Sequence, residues 1–529
     1  MKKGTVALIG VIGLGVILRV LTLTQRGSFW FDEAFAVHFA SMDISQMLSY
    51  LRFENNPPLY FILLHFWMKI FGDSELTVRI LSMLFGIAAL PLTYYIGKRL
   101  HSKTAGLFAV FLMAISTFQV FYATETRMYT MYLFLALAVM WLFVERWNVA
   151  AVFRPPLWRS FDRLRTGSEG RRYIAYDVAL FVLLSALIWT HITVWIIVLA
   201  LGFYLLWQSE FNIKQFIRNN ARFIIISTLL VIQFLPWAIK FIQLKIITPV
   251  SAGFVFYIPP DKNFFPTILE NFLAFGQDNS FIITLLSVVI VGCMFFALRP
   301  ITRSGKFLFC WLFIPLLIGF AFSSAITRYF IAVSPALYLL MGIGFANFVE
   351  RVKRAYTIKQ LRILYATGYL LVFALIFPAY ASLAQLWPPV WDGLAQWVEE
   401  MQNLPAGKAG AKCKMQDKNC LVLINPHSEI LPFERYYRGA LPVVGFYPKD
   451  DSDDRDTRIV KTNWISLNTK ENISRLADIT KGYERVFLVT GGIDPIGRNL
   501  PPTWFWENGW RRGALKEFGR LSVVVLERL

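Results

Sequence analysis

A polytopic α-helical membrane domain followed by a small α/β domain is the fold class that this sequence predicts, on three observations. Of its 529 residues, 56% are hydrophobic and only 16% are charged; a soluble globular protein carries roughly 25% charged residues. Mean hydropathy is +0.51, and apolar runs recur at close to the ~20 residues that cross a bilayer as a helix. The formal net charge of +19 is gathered in short loops between those runs. That is the positive-inside pattern, not a nucleic-acid-binding face.

The first span, about residues 5–24, begins behind Lys2 and Lys3. No small-x-small cleavage site closes it, so it reads as a retained helix with a cytoplasmic N-terminus. A long outer loop follows, residues 25–75. Within it, Asp43-Ile44-Ser45-Gln46 has the form of a capping box, and Ile44, Met47, Leu48 and Leu51 recur at helical spacing. A short interfacial helix is predicted there. The run Phe61–Phe71 is short for a span and is interrupted by Lys69, so a second juxtamembrane helix is expected.

If that run does not cross, every later basic cluster falls on one face. The second span (about 76–97) ends at Lys98, Arg99 and Lys103. The third and fourth (about 105–122 and 128–145) return the chain to Arg146, Arg154, Arg159, Arg163, Arg165, Arg171 and Arg172. The fifth and sixth (about 174–189 and 192–207) lead to Lys214, Arg218 and Arg222. The seventh (about 223–240) exits to an outer loop, about 241–280, and the eighth returns to Arg299, Arg303 and Lys306. The ninth and tenth (about 307–323 and 329–348) bracket a short outer turn, and the last (about 363–382) ends outside. The expectation is about eleven transmembrane helices in the cell membrane, N-terminus cytoplasmic and C-terminus extracytoplasmic.

The membrane domain is expected over 1–385 and the extracytoplasmic domain over 386–529, because composition changes after Trp387-Pro388-Pro389. A helical signal at Gly393–Met401 precedes short apolar strands at Leu421–Ile424, Val486–Val489 and Leu521–Leu526. That is chain enough for a core of its own. Cys293 and Cys310 fall in apolar runs as inert thiols; Cys413 and Cys420 can pair if their segment faces an oxidising compartment. The stretches 161–172 and 405–413 read as low-complexity insertions, and Asn472-Ile473-Ser474 is a glycosylation triplet.

Asp32 and Glu33 stand among aromatic residues in Ser28-Phe29-Trp30-Phe31-Asp32-Glu33-Ala34, where the first span ends. The plain reading is a solvated helix start whose acids face the N-terminal dipole. The predicted topology, however, brings Glu54, Asn55, Asn56, Glu125, Arg127, His191, Lys245 and Arg328 to the same outer face. Singly, each has a dull explanation: Arg127 snorkels or pairs with Glu125, His191 bonds its neighbours, Arg328 caps a turn. Together, two adjacent carboxylates and several cations at membrane depth suit a reaction on a phosphate-bearing lipid. Cations would hold the anionic leaving group and a carboxylate would take a proton from the nucleophile. No nucleotide-binding signature and no metal-ligand spacing is present, which leaves room only for a single divalent cation held by Asp32 and Glu33.

The sequence resembles the integral-membrane GT-C glycosyltransferases of the dolichyl-phosphate-mannose protein mannosyltransferase and aminoarabinose transferase type. The matching pieces are Trp30-Phe31-Asp32-Glu33-Ala34, Glu54-Asn55-Asn56-Pro57-Pro58-Leu59-Tyr60-Phe61 and Phe71-Gly72-Asp73-Ser74-Glu75-Leu76-Thr77-Val78-Arg79. They continue with Tyr122-Ala123-Thr124-Glu125-Thr126-Arg127-Met128-Tyr129 and Arg328-Tyr329-Phe330, and more loosely with Pro432-Phe433-Glu434-Arg435-Tyr436-Tyr437. The resemblance implies a sugar donor linked to a polyprenyl phosphate, a lipid, glycan or protein acceptor, and transfer on the outer face of the bilayer. It implies Asp32 as catalytic base, with Glu33 and Glu54 as further acids of the catalytic set. Many relatives carry His or Lys where this chain has Asn56, which turns the donor-phosphate contacts to Arg127 and Arg328, with Lys245 and His191 behind them. Asn55, Asn56, Tyr129 and Tyr329 are the expected substrate contacts. A transporter or flippase of lipid-linked sugars is the competing class, but it would favour internal repeats and interrupted helix pairs.

Overall fold

The computed structural model describes residues 3–51, 54, 56–147, 149, 168–247, 263–321, 326–353, 355–386, 391–403, 419–425, 430–446, 476–491, 503–518 and 521–528. The first span is α1 (Lys3–Thr24), and three helices occupy the long loop after it: α2 (Phe31–Ser41), α3 (Ile44–Leu51) and α4 (Leu59–Phe71). Both predicted juxtamembrane helices are therefore formed, with a further one directly on the Asp32-Glu33 motif. The second span is α5 (Glu75–Leu100), whose start is capped by Ser74, its hydroxyl accepting from the Thr77 amide at 3.3 Å. The third is broken: α6 (Lys103–Ile115) and α7 (Thr117–Ala123) meet at 59°. Ser116 makes the break, capping α7 through the Gln119 amide and donating to Phe272 O at 2.6 Å.

The remaining helices of the membrane domain are α8 (Tyr129–Arg146), α9 (Ser168–Ile188), α10 (Val194–Gln208), α11 (Ile213–Ile247), α12 (Phe264–Ala274), α13 (Ser280–Leu298), α14 (Arg303–Ala321), α15 (Ser334–Val352), α16 (Ile358–Ile376) and α17 (Ala379–Leu386). Every expected span falls on a helix. Among the described residues, seven helices are long and apolar enough to cross a membrane, or eight with the bent pair counted as one. The stretch 174–188 of α9 and the whole of α10 are apolar but shorter, and α15 is buried along almost its entire length. Two local expectations are corrected. Arg328-Tyr329-Phe330 forms a 3₁₀ turn ahead of α15 instead of its first turn, because Pro335 fixes the helix start. The stretch expected as an outer loop, 241–280, contains α12, whose Phe272 and Leu273 are fully buried. Glycines let helices approach backbone to backbone: Gly97 of α5 faces Gly106 of α6, and Gly342 of α15 lies against the Ala105 carbonyl.

The C-terminal domain opens with α18 (Trp391–Asn403). It continues with β1 (Cys420–Asn425), α19 (Ile430–Tyr436), β2 (Val443–Gly445), β3 (Arg485–Gly491), α20 (Thr503–Glu507), β4 (Trp510–Phe518) and β5 (Leu521–Arg528). The sheet order is β2-β1-β3-β5-β4, with β1 parallel to β2 and β3, and the last two pairings antiparallel. The three predicted strands are present; β2 and β4 add the edges. Alternation sorts the side chains. Val422, Ile424, Phe487, Val489, Val523 and Val525 join the large core that includes α18 and α19, while Leu421, Leu423, Val486, Leu488 and Leu526 pack a separate cluster with Phe505 and Trp510. Cys420 is disulfide-bonded; Cys413, the 405–413 insertion, residues 161–167 of the other insertion and the Asn472 triplet lie outside the described residues.

Candidate active site

Five segments converge on one buried cluster of charge. Asp32 and Glu33 occupy the first turn of α2, but their side chains go different ways. Glu33 is fully buried and receives Arg79 from α5 in a two-pronged pair, Nε to Oε1 at 2.8 Å and Nη2 to Oε2 at 2.7 Å. The Thr126 amide adds a bond to Oε1 at 3.0 Å. Arg79 also donates to the carbonyls of Gly27 and Ser28, at 2.9 and 3.4 Å. Despite its burial, Glu33 is held below the usual carboxylate range by the Arg79 guanidinium, with Arg26 and the Thr126 amide helping. Both of its carboxylate oxygens are thus engaged, by Arg79 and by the Thr126 amide.

Asp32 points the other way. Its Oδ2 lies 3.4 Å from Nη1 of Arg328, on the 3₁₀ turn before α15, and this enclosed oxygen accepts no hydrogen bond. The Arg328 guanidinium also lies 5.8 Å from the ring centroids of Trp30 and of Tyr129. Arg127, from the loop between α7 and α8, is buried over Phe35 of α2 and Phe61 of α4, each at 5.9 Å. Its Nε and Nη1 have no hydrogen-bond partner. Asp32, Tyr129 and Glu54 raise the affinity of Arg127 for its proton against the cost of burial. Of the two plain explanations for Arg127, pairing with Glu125 is not seen: the contact between them runs from the Arg127 amide to the Glu125 carbonyl, at 2.8 Å.

Glu125, though in the motif, was not among the expected site residues. It is fully buried, both carboxylate oxygens lack a hydrogen-bond partner, and burial pushes it up to about 8 against the pull of Arg26 and Arg328. Glu54 is buried and accepts from Asn56 Nδ2 at 3.0 Å; burial raises its carboxyl, opposed by Arg127. The Asn56 amide is therefore engaged with Glu54, and Asn55 lies outside the described residues. His191, between α9 and α10, stacks on Tyr132 at 4.8 Å and edges Tyr329 at 5.4 Å. Burial, with Arg127 and Arg328 nearby, lowers it to about 3, so it is a neutral ring and not a cation. Its Nδ1 lies 2.8 Å from Thr193 Oγ1 and 3.3 Å from the Thr193 amide nitrogen, while Nε2 has no hydrogen-bond partner. Lys245 falls in α11, with its side chain outside the described residues. Among the described residues, no three His, Cys, Asp or Glu side chains gather as metal ligands.

Arg79 was missed as a site residue, although its motif was in view. Nothing in a span-opening Arg says that its partner lies on the preceding loop.

The family model described as dolichyl-phosphate-mannose-protein mannosyltransferase matches residues 55–151. That stretch holds the Pro57-Pro58 pair, Arg79, Glu125 and Arg127, on which the resemblance partly rests. ArnT from Cupriavidus metallidurans bound to undecaprenyl phosphate superposes with a TM-score of 0.57 at 14% identity, over 99% of this chain and 98% of that one. The chain has the ArnT fold. The apo state of ArnT gives a TM-score of 0.58 over 98% and 97%. The oligosaccharyltransferase AglB from Archaeoglobus fulgidus, in complex with an inhibitory peptide and a dolichol-phosphate, gives 0.53 at 12% identity, over 92% of this chain and 69% of that one. No curated protein matches by sequence. Because ArnT is matched nearly end to end, the C-terminal domain is included in the shared fold and is not an appendage to it.

Proposed function

We propose that the chain is a membrane glycosyltransferase that moves a sugar from a polyprenyl phosphate to a lipid, glycan or protein acceptor on the outer face of the membrane. Its N-terminus is cytoplasmic and its C-terminal domain extracytoplasmic. The observation that carries this reading is Asp32: an enclosed carboxylate oxygen with no hydrogen bond, 3.4 Å from Arg328. A base beside fixed cations suits one in-line displacement. Asp32 takes the acceptor hydroxyl proton, the acceptor oxygen bonds to the anomeric carbon, and the carbon–phosphate-oxygen bond breaks on the opposite side, inverting the centre. The electrons leave on the lipid phosphate, whose added charge Arg328 and Arg127 meet. His191, neutral, offers the phosphate an N–H donor instead of a charge. Glu54 holds Arg127 in place, Tyr129 and Tyr329 line the sugar side, and Glu33 positions Asp32 through Arg79. ArnT's undecaprenyl phosphate and AglB's dolichol-phosphate support a lipid-linked donor here.

The test supplies purified protein in vesicles with radiolabelled polyprenyl-phosphate sugars and membrane extract. Label should move to a new acceptor, and Asp32→Asn should reduce transfer by about 10²–10⁴-fold, the range of general base catalysis, with folded protein retained. Near-normal turnover by that variant would refute the assignment. Label that crosses the bilayer unchanged would make the protein a flippase.

A further inference from the structure

The segment that carries Asp32 into α2, residues 27–30, lies outside any helix or strand. Trp30 is the N-cap of α2 and makes no side-chain capping bond. The direction of the first turn, and with it the aim of Asp32, depends on whatever holds residues 27–30 from outside. Two parts of the molecule do so. Arg79 of the membrane domain takes the Gly27 and Ser28 carbonyls. The C-terminal domain takes the other side: the Phe29 amide donates to the Tyr436 hydroxyl at 2.7 Å, and the Trp391 amide donates to Ser28 Oγ at 3.0 Å.

Tyr436 does more than accept. Its hydroxyl donates to the Glu75 carboxylate, on the first residue of α5. Four residues further along that helix is Arg79, which grips Glu33. A single hydroxyl therefore joins the approach to α2 with the start of α5. The helix that presents it is pinned beside them: Arg435 donates to Asp73 Oδ2 at 2.7 Å and to Asp73 O at 2.9 Å. Between these anchors lies Phe29, fully buried, with the guanidinium of Arg79 at 5.2 Å and that of Arg435 at 5.7 Å from its ring.

We propose that Tyr436 of the C-terminal domain is a positioning residue for the Asp32 carboxylate, so that the outer domain sets the geometry of the membrane-embedded reaction. This rests on the reading of Asp32 as base. Without the hydroxyl, the Phe29 amide is buried with no acceptor, and the start of α2 can rotate away from Arg328. Misplacement of a reacting group by about 1 Å costs of the order of 100-fold in rate.

The experiment uses the full chain in vesicles. Tyr436→Phe should lower kcat about 10- to 100-fold while leaving KM for the lipid donor and for the acceptor unchanged. Backbone hydrogen exchange over residues 27–33 should quicken in that variant while α5 and α8 keep wild-type protection. Glu75→Gln, which leaves Phe29 its acceptor, should fall between wild type and Tyr436→Phe. Wild-type kcat in Tyr436→Phe, unchanged exchange over 27–33, or a defect confined to KM would each overturn the proposal. Asp32→Asn run alongside separates the two ideas. Residual high activity there sinks the base assignment, whereas the exchange result reports on the Tyr436 contact alone.

Discussion

Glu33 and Arg79 are the residues on which the geometry of the site hangs, and each is only as stable as its partner. Both are withdrawn from water, at 0% and 2% exposure, so removing one leaves an uncompensated buried charge. Breaking such a pair costs about 3–5 kcal/mol. Glu33→Ala is expected to lower the melting temperature in detergent sharply, while Asp32→Asn leaves it close to wild type. Equal melting shifts for the two would contradict the division of labour between neighbouring acids. Glu125 gives a pH prediction with a definite sign. Its folded-state value of about 8 lies above the ordinary 4.5, so the folded chain binds this proton more tightly than the unfolded chain. Stability from this group is complete below about pH 4.5 and is lost as pH rises towards 8. Glu125→Gln should therefore raise the melting temperature at pH 8 more than at pH 5.

At the scale of elements, α15 packs against α6 and α13 with no space between backbones at two glycines. A Cβ added at Gly342 would stand 2.3 Å from the Ala105 carbonyl oxygen, and one added at Gly344 would stand 1.9 Å from the Cys293 carbonyl oxygen. In both cases the obstacle is backbone, which cannot swing aside. Gly342→Ala and Gly344→Ala are expected to cut the yield of monodisperse protein in size-exclusion chromatography. Gly4→Ala, with nothing within 4 Å, should leave it unchanged. The break between α6 and α7 serves the site in another way. By turning the chain at Ser116, it sets the 124–128 loop over the Glu33–Arg79 clamp, where the Thr126 amide and Arg127 reach their places.

For the whole molecule, the two faces of the membrane domain differ in what they expose. The loops expected to face the cytoplasm carry most of the basic residues, while Glu33, Glu54, Arg79, Glu125 and Arg127 at the opposite ends are buried. If the proposed orientation holds, a reporter enzyme that folds only by forming disulfides should be active when fused after residue 386 and inactive when fused at residue 149. The reverse pattern would overturn the topology. The disulfide at Cys420 fits an oxidising outer compartment.

Composition, apolar run length and basic loops were enough to put a helix under every expected span, to place two of the three helices in the first long loop, and to find three of the five strands. These are local or periodic properties, and a span must satisfy its own backbone hydrogen bonds whatever surrounds it. The two missing strands, β2 with three residues and β4 with its mostly exposed alternation, carry little apolar signal, so pairing with β1 and β5 defines them. The site was half legible. That Asp32, Glu54, Arg127 and Arg328 share a face follows from topology. Which of two adjacent acids is clamped and which is left open does not follow, because it depends on Arg79, 46 residues away. Nor does sequence spacing reveal that burial lowers His191 and raises Glu125, or that Tyr436 reaches back to Phe29 across 407 residues. Those facts are properties of burial and long-range contact, which exist only once the chain has closed on itself.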